Sequence, residues 1–114
     1  MNECFHLLVL CGRGRKRSKT AEDIYKNDER IQVRAAGVSP SADRKVNEKD
    51  LLWADGILVM EKEQKNKVLS QFTHLEFPII EVLYIPDDYE RGDTELVALL
   101  EDKIEAFLAQ NEGN

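Results

Sequence analysis

Eight consecutive residues, Cys11-Gly12-Arg13-Gly14-Arg15-Lys16-Arg17-Ser18, bring together a thiol, two glycines, four cations and a hydroxyl. A loop of this length can curl until successive backbone N–H groups converge on one point. Set on a helix N-terminus, that concavity binds a tetrahedral oxyanion. Gly12 and Gly14 permit the tight or left-handed angles the curl requires. The Arg17 guanidinium can hold two phosphate oxygens in a planar fork. A helix dipole and nearby cations lower a thiol pKa from ~8.5 into the range of roughly 3.5–7.5. A Cys11 thiolate can then attack phosphorus and form a phosphocysteine, with Ser18 donating a hydrogen bond to the sulfur and assisting its departure. Gly12, Arg13, Gly14, Arg15, Lys16 and Ser18 are thus the candidate phosphate-binding positions around Cys11 and Arg17. Of Arg13, Arg15 and Lys16, two are expected to point to water and only shape the local potential.

That reaction also needs a proton for the leaving alcohol or phenol, and later a base to activate water. The polar, turn-rich segment Ile85-Pro86-Asp87-Asp88-Tyr89-Glu90-Arg91-Gly92-Asp93 offers carboxyls for both steps in Asp87, Asp88 and Asp93. Aspartates also start turns, so the segment alone does not choose among them.

To face each other, these two segments must lie at one edge of a common scaffold. Phe5 to Leu10 is a nearly continuous apolar run that reads as a buried parallel strand. From Ser18, a plausible cap, Thr20, Ala21, Ile24 and Tyr25 recur at helical spacing, with Glu22 and Asp23 placed in the first turn. Ile31 to Ala36 reads as a second strand and residues 37–44 as a loop. Glu48 to Ala54 reads as a short helix with Leu51, Leu52 and Trp53 inward. Gly56 to Met60 is a third strand. Glu61 to Phe72 is a helix with Val68, Leu69 and Phe72 inward, and its charged run from Glu61 to Lys67 reads as a solvated face. Pro78 to Tyr84 is a fourth strand. Thr94 to Gln110 is an amphipathic helix with Leu96, Leu99, Leu100, Ile104, Phe107 and Leu108 on one stripe. The last four residues read as a frayed tail.

Strands alternating with helices predict an α/β domain, a three-layer α/β/α arrangement around a parallel sheet. In such sheets ligands sit beyond the carboxyl ends of the strands. The Cys11 loop follows the first strand and the Asp87 segment follows the fourth, so both land there.

Composition agrees with one domain spanning residues 1–114: the chain has 114 residues, of which 42% are hydrophobic, enough for one modest core. No apolar run approaches the ~20 residues of a membrane helix. The Phe5–Leu10 run is too short for a signal-peptide core, and no Lys or Arg precedes it. The expectation is a cytoplasmic protein without a membrane partner. Two cysteines, Cys4 and Cys11, do not make a disulfide framework, and a cytosolic chain keeps them as thiols. Cys4 reads as core, His6 as a structural histidine, His74 as surface, and Trp53 as core or cleft wall. Neither histidine has metal-ligand company, so no metal or cofactor is expected. Asp55 reads as a cap or turn leading into the third strand. Net charge is −6, yet Arg13 to Lys19 carries five cations and no acid. One compact basic spot on an acidic chain points to a local anion site and argues against a nucleic-acid-coating surface.

The loop resembles the phosphate loop of the low-molecular-weight protein tyrosine phosphatases, which place Cys-x5-Arg-Ser between their first strand and helix. The similarity continues through Thr20-Ala21-Glu22, the Ala35-Ala36-Gly37 turn and Trp53 to Glu61. It ends in Ile85-Pro86-Asp87-Asp88-Tyr89, which is similar to the family's Asp-Pro-Tyr acid loop. The resemblance implies the strand order two-one-three-four and a metal-independent phosphatase acting on phosphomonoesters, aryl phosphates or phosphotyrosine in particular. Its partners would be phosphorylated proteins or small phosphomonoesters. Asp87 maps onto the general acid and Asp88 onto the family's proline, with Asp88 and Asp93 in reserve and Tyr89 walling the cleft. Three positions depart from the family: Gly14 replaces an Asn that braces the loop, Lys16 replaces a protective second Cys, and Lys19 replaces a Pro. The chain is also shorter than typical members, in the loops after strand two and between strands three and four.

Two other functions use the same residues. A non-catalytic phosphate- or nucleic-acid-binding module would keep the loop, but needs neither Cys11 nor Asp87. An arsenate reductase relays through further cysteines, and none follows Cys11, so an external thiol would have to serve.

Overall fold

The structure, a computed structural model, describes residues 4–111. Four strands, β1 (Phe5–Cys11), β2 (Ile31–Gly37), β3 (Gly56–Val59) and β4 (Ile80–Val82), form one parallel sheet in the order β2-β1-β3-β4. This is the order that the resemblance implies. The helices are α1 (Arg17–Tyr25), α2 (Glu48–Trp53), α3 (Lys62–Gln71) and α4 (Thr94–Asn111).

Period-two alternation in β1 divides the core. Leu7, Val9 and Cys11 point to one face, where Ala21 and Tyr25 of α1 and Leu96, Leu100, Ile104, Phe107 and Leu108 of α4 cover them. Leu8 and Leu10 point to the other, packed with Leu51 of α2 and Val68 of α3. The three layers follow from a strand apolar on both sides. No helix of the described residues is long and apolar enough to cross a membrane.

Several local expectations change. α1 begins at Arg17, its N-cap is Lys16, and no side chain caps it. Ser18 is therefore not the cap, and Glu22 and Asp23 lie beyond the first turn, which holds no acid. Leu52 and Leu69, expected inward, are exposed; the short helices present narrower apolar faces than their sequences offer. β4 is three residues long. Beyond it Leu83 and Ile85 donate to the Val59 and Met60 carbonyls, and Tyr84 between them takes φ 57°, which breaks the ladder. Asn111, expected in the tail, is helical; residues 112–114 of that reading lie outside the described residues.

The parallel register places Cys11, at the end of β1, level with Gly37 at the end of β2. β1 sits between β2 and β3, so the chain leaves it toward opposite edges of the sheet. A crevice forms where the order reverses, at the carboxyl ends.

Candidate active site

The 12–16 loop is held from behind. The carbonyls of Cys11, Gly12 and Arg13 accept hydrogen bonds from Val38, Ser39 and Asp43 N–H at 3.0, 2.8 and 3.1 Å. Because a trans peptide sets its N–H opposite its C=O, the amides of Gly12, Arg13 and Gly14 turn away from the 38–43 segment. That segment is itself anchored by Arg44, which donates to the Ala35 carbonyl and pairs with the buried Asp50. Gly14 has φ +71°, and a Cβ there would lie 2.8 Å from Gly37 N. A Cβ on Gly37 would lie 2.6 Å from the Arg13 carbonyl carbon. The two backbones touch, and only glycines allow it.

Cys11 is buried, and two groups face its sulfur: Gly14 N–H donates to Sγ at 3.2 Å and Ser18 Oγ lies 3.2 Å away. Ser18 is fully buried and its hydroxyl serves the sulfur. Arg17 is 3% exposed. Its Nη1 donates to Glu61 Oε2 and to the Ile85 carbonyl, both at 2.7 Å. Those bonds fix the guanidinium between the ends of β3 and β4. Nε lies 3.8 Å from Asp87 Oδ1. Among the described residues, Nε is the buried side-chain nitrogen or oxygen left without a hydrogen-bond partner.

A cleft of about 200 Å³ opens over these groups, lined by Cys11, Gly12, Arg13, Arg15, Lys16, Arg17 and Asp87. The structure thus brings Asp87 to the thiol and the guanidinium, and it places neither Asp88 nor Tyr89 on the cleft wall. The Tyr89 ring is partly buried against the core and its hydroxyl donates to Glu95 Oε2 at 3.1 Å, a bond that holds the phenol above its ordinary 10.0. Asp93 N–H closes a turn onto the Glu90 carbonyl and the Asp93 carboxylate accepts from Glu95 N–H, so it starts α4.

The 85–93 segment is strapped over α1. Lys16 Nζ meets Glu90 at 3.1 Å, Gly92 N–H donates to Thr20 Oγ1 at 3.0 Å, and Arg91 grips Asp23 through two bonds. The Arg91 guanidinium holds the Asp23 carboxyl below its ordinary range. Asp87 thereby reaches the cleft on a tethered loop.

Glu61 departs from the solvated helix face its charged surroundings suggest. It stands two residues after β3, accepts from Arg17, and forms a capping box with Gln64 at the start of α3. The available signal was its position at the carboxyl end of a strand. Asp55 lies at the opposite edge, where it accepts from His6 N–H at 2.9 Å, away from the cleft. His6 stacks on Trp53 at 4.5 Å with Nδ1 3.0 Å from the Trp53 carbonyl, as a structural histidine would. Trp53 is half-buried on the second core cluster and Cys4 is half-buried.

A scan against protein-family models finds no match, and a search of the curated proteins finds none. Solved structures do match along nearly their whole length. YfkJ from Bacillus subtilis has a TM-score of 0.72 at 21% identity, covering 98% of this chain and 97% of that one. SP-PTP, a low molecular weight protein tyrosine phosphatase from Streptococcus pyogenes, has a TM-score of 0.77 at 14% identity, covering 94% and 93%. The YwlE arginine phosphatase from Geobacillus stearothermophilus has a TM-score of 0.67 at 16% identity, covering 94% and 97%. With its Cys11 loop, its β2-β1-β3-β4 sheet and these neighbours, the chain has the fold of the low-molecular-weight protein tyrosine phosphatases.

Proposed function

We propose that this protein is a cysteine-dependent phosphomonoesterase that acts through a phosphocysteine, without a metal, on aryl phosphates, phosphotyrosine among them. The observation that carries the reading is the buried Arg17 Nε with no hydrogen-bond partner, on a residue that lines the same cleft as Cys11, with the Asp87 carboxylate 3.8 Å away. An unpaired buried donor is costly, and a phosphate oxygen would satisfy it. Neighbours described as a tyrosine phosphatase and an arginine phosphatase support phosphatase chemistry.

In the first step a sulfur lone pair of Cys11 attacks phosphorus in line with the leaving oxygen. The P–O bond breaks, and the leaving oxygen keeps the electron pair and takes the Asp87 proton. Arg17 and the loop amides hold the three equatorial oxygens as charge builds on them. In the second step Asp87, now a carboxylate, takes a proton from water as the water oxygen attacks phosphorus. The S–P bond breaks, and the thiolate that leaves is met by Gly14 N–H and the Ser18 hydroxyl. The products are an alcohol or phenol and inorganic phosphate.

Pairing within the loop argues against the nucleic-acid alternative. Arg15, Lys16, Arg17 and Lys19 each meet a carboxylate, which leaves little free charge for a polyanion. The deciding experiment is phenyl phosphate hydrolysis in the presence of a chelator. Turnover is expected, vanadate should inhibit it, and Cys11→Ser should abolish it. Full activity in Cys11→Ser would overturn the mechanism.

A further inference from the structure

The cations of the loop are not equivalent. Arg15 pairs with Asp43 at 3.0 Å, Lys16 with Glu90 at 3.1 Å, Arg17 with Glu61 at 2.7 Å and Lys19 with Glu22 at 3.2 Å. Arg13 lines the same cleft, is exposed, and meets no carboxylate among the described residues. Its backbone is held in the loop. The Arg13 carbonyl accepts from Asp43 N–H, and its carbonyl carbon touches the backbone of Gly37 so closely that no Cβ fits between them. A free guanidinium therefore stands at the rim on a backbone packed against Gly37.

Resting on the phosphatase reading, we infer that Arg13 is a specificity residue that selects phosphomonoesters carrying a second anionic group beside the phosphate. The phosphate itself is provided for elsewhere. Arg17 Nε, which has no hydrogen-bond partner, and the loop amides meet its oxygens, and Asp87 meets the leaving atom. The charge left over at the rim has no work to do on a substrate with one anion. A carboxylate or second phosphate on the leaving group would supply the counter-charge that each neighbouring cation already has. Arg15 and Lys16 would have to break an existing pair to do the same.

The test is a charge cycle between substrate and protein. Two phosphotyrosine peptides, identical except for Glu or Gln on both sides of the phosphotyrosine, are compared with phenyl phosphate and carboxyphenyl phosphate. Both kcat/KM and the dissociation constant from calorimetry are measured for each. The wild-type protein should prefer the added carboxylate by roughly 2- to 5-fold at low ionic strength, falling toward unity in 1 M salt. Arg13→Gln should erase the preference, whatever it does to the phenyl phosphate rate, while Arg15→Gln should keep it. A preference for the peptide alone, or for carboxyphenyl phosphate alone, identifies which kind of leaving group Arg13 reads. Equal handling of charged and neutral substrates by the wild-type protein overturns the inference. So does equal loss of preference in the two variants, which would make it a property of the loop's general field. Should phenyl phosphate not be hydrolysed at all, the phosphatase reading fails, and the calorimetric cycle still decides the role of Arg13.

Discussion

Arg17 Nη1 and Glu61 Oε2 lie 2.7 Å apart, with the Arg17 side chain 4% exposed and that of Glu61 38% exposed. Glu61 is thus the hydrogen-bonded counter-charge of a nearly buried guanidinium, with Asp87 Oδ1 farther off at 3.8 Å. Replacing it removes one partner and leaves the other charge buried. For a fully buried pair that costs about 3–5 kcal/mol, and exposure of Glu61 reduces the expected loss for Glu61→Gln to about 1–3 kcal/mol. Inorganic phosphate would supply the missing counter-charge. It should therefore raise the melting temperature of Glu61→Gln more than that of the wild-type protein. Equal shifts would separate Glu61 from the anion site.

Asp87 and Asp88 are neighbours in sequence, but only Asp87 lines the cleft. Asp87→Asn should lower kcat for phenyl phosphate by about 10²–10⁴-fold, the usual worth of a positioned acid. The loss should shrink with p-nitrophenyl phosphate, whose leaving group needs less protonation. Asp88→Asn should stay near the wild-type rate. If the two variants fall together, the proton comes from elsewhere.

Gly14 combines a left-handed φ of +71° with backbone 2.8 Å from where a Cβ would stand. Gly14→Ala carries both strain and a clash that no side-chain rotation relieves. Urea unfolding should show a loss of about 1–3 kcal/mol, together with weaker vanadate inhibition because the loop amides shift. An unaltered midpoint would mean that the loop is not pinned against Gly37.

Burial raises the pKa of the Tyr25 phenol above its ordinary 10.0, and its hydrogen bond to Glu105 adds to the effect. The folded protein therefore holds this proton more tightly than the unfolded chain does. The associated stability is complete below pH 10 and drains away as pH rises toward the folded value, by about 1.4 kcal/mol per pH unit for one proton. Tyr25→Phe has no such proton to lose. Its urea midpoint should fall less steeply than that of the wild-type protein between about pH 10 and 11, and identical slopes would refute the assignment.

Much of the site is local in the chain, and so it was legible there. Cys11 and Arg17 are one curled loop apart, and the apolar run before them and the helix after them fix that loop's place at a strand end. Periodicity in β1 and α4 likewise determined the layers, since burial on both strand faces and on one helix stripe follows from residue type. The strand order came by resemblance. Ser18 lies next to the sulfur and does not cap α1, a choice open in the sequence because a hydroxyl at a helix start can serve either backbone or side chain until the neighbouring partner is known.

The remainder depended on groups far apart in sequence. Glu61 sits 44 residues from Arg17, and its charge reads as solvated until β3 brings it to the buried guanidinium. Asp87 reaches the cleft and Tyr89 turns to Glu95 on an 85–93 segment tied to Thr20 and Asp23 of α1 and to Lys16 just before it. Pairing is also what separates Arg13 from its charged neighbours, as the carboxylates that neutralise Arg15 and Lys16 come from distant loops. Sequence alone determined which residues a curled anion-binding loop would draw on, and that the domain is a layered α/β one. Tertiary structure decided which charges are spent on the protein itself, because desolvation and Coulomb attraction depend on distances that the chain acquires only when folded.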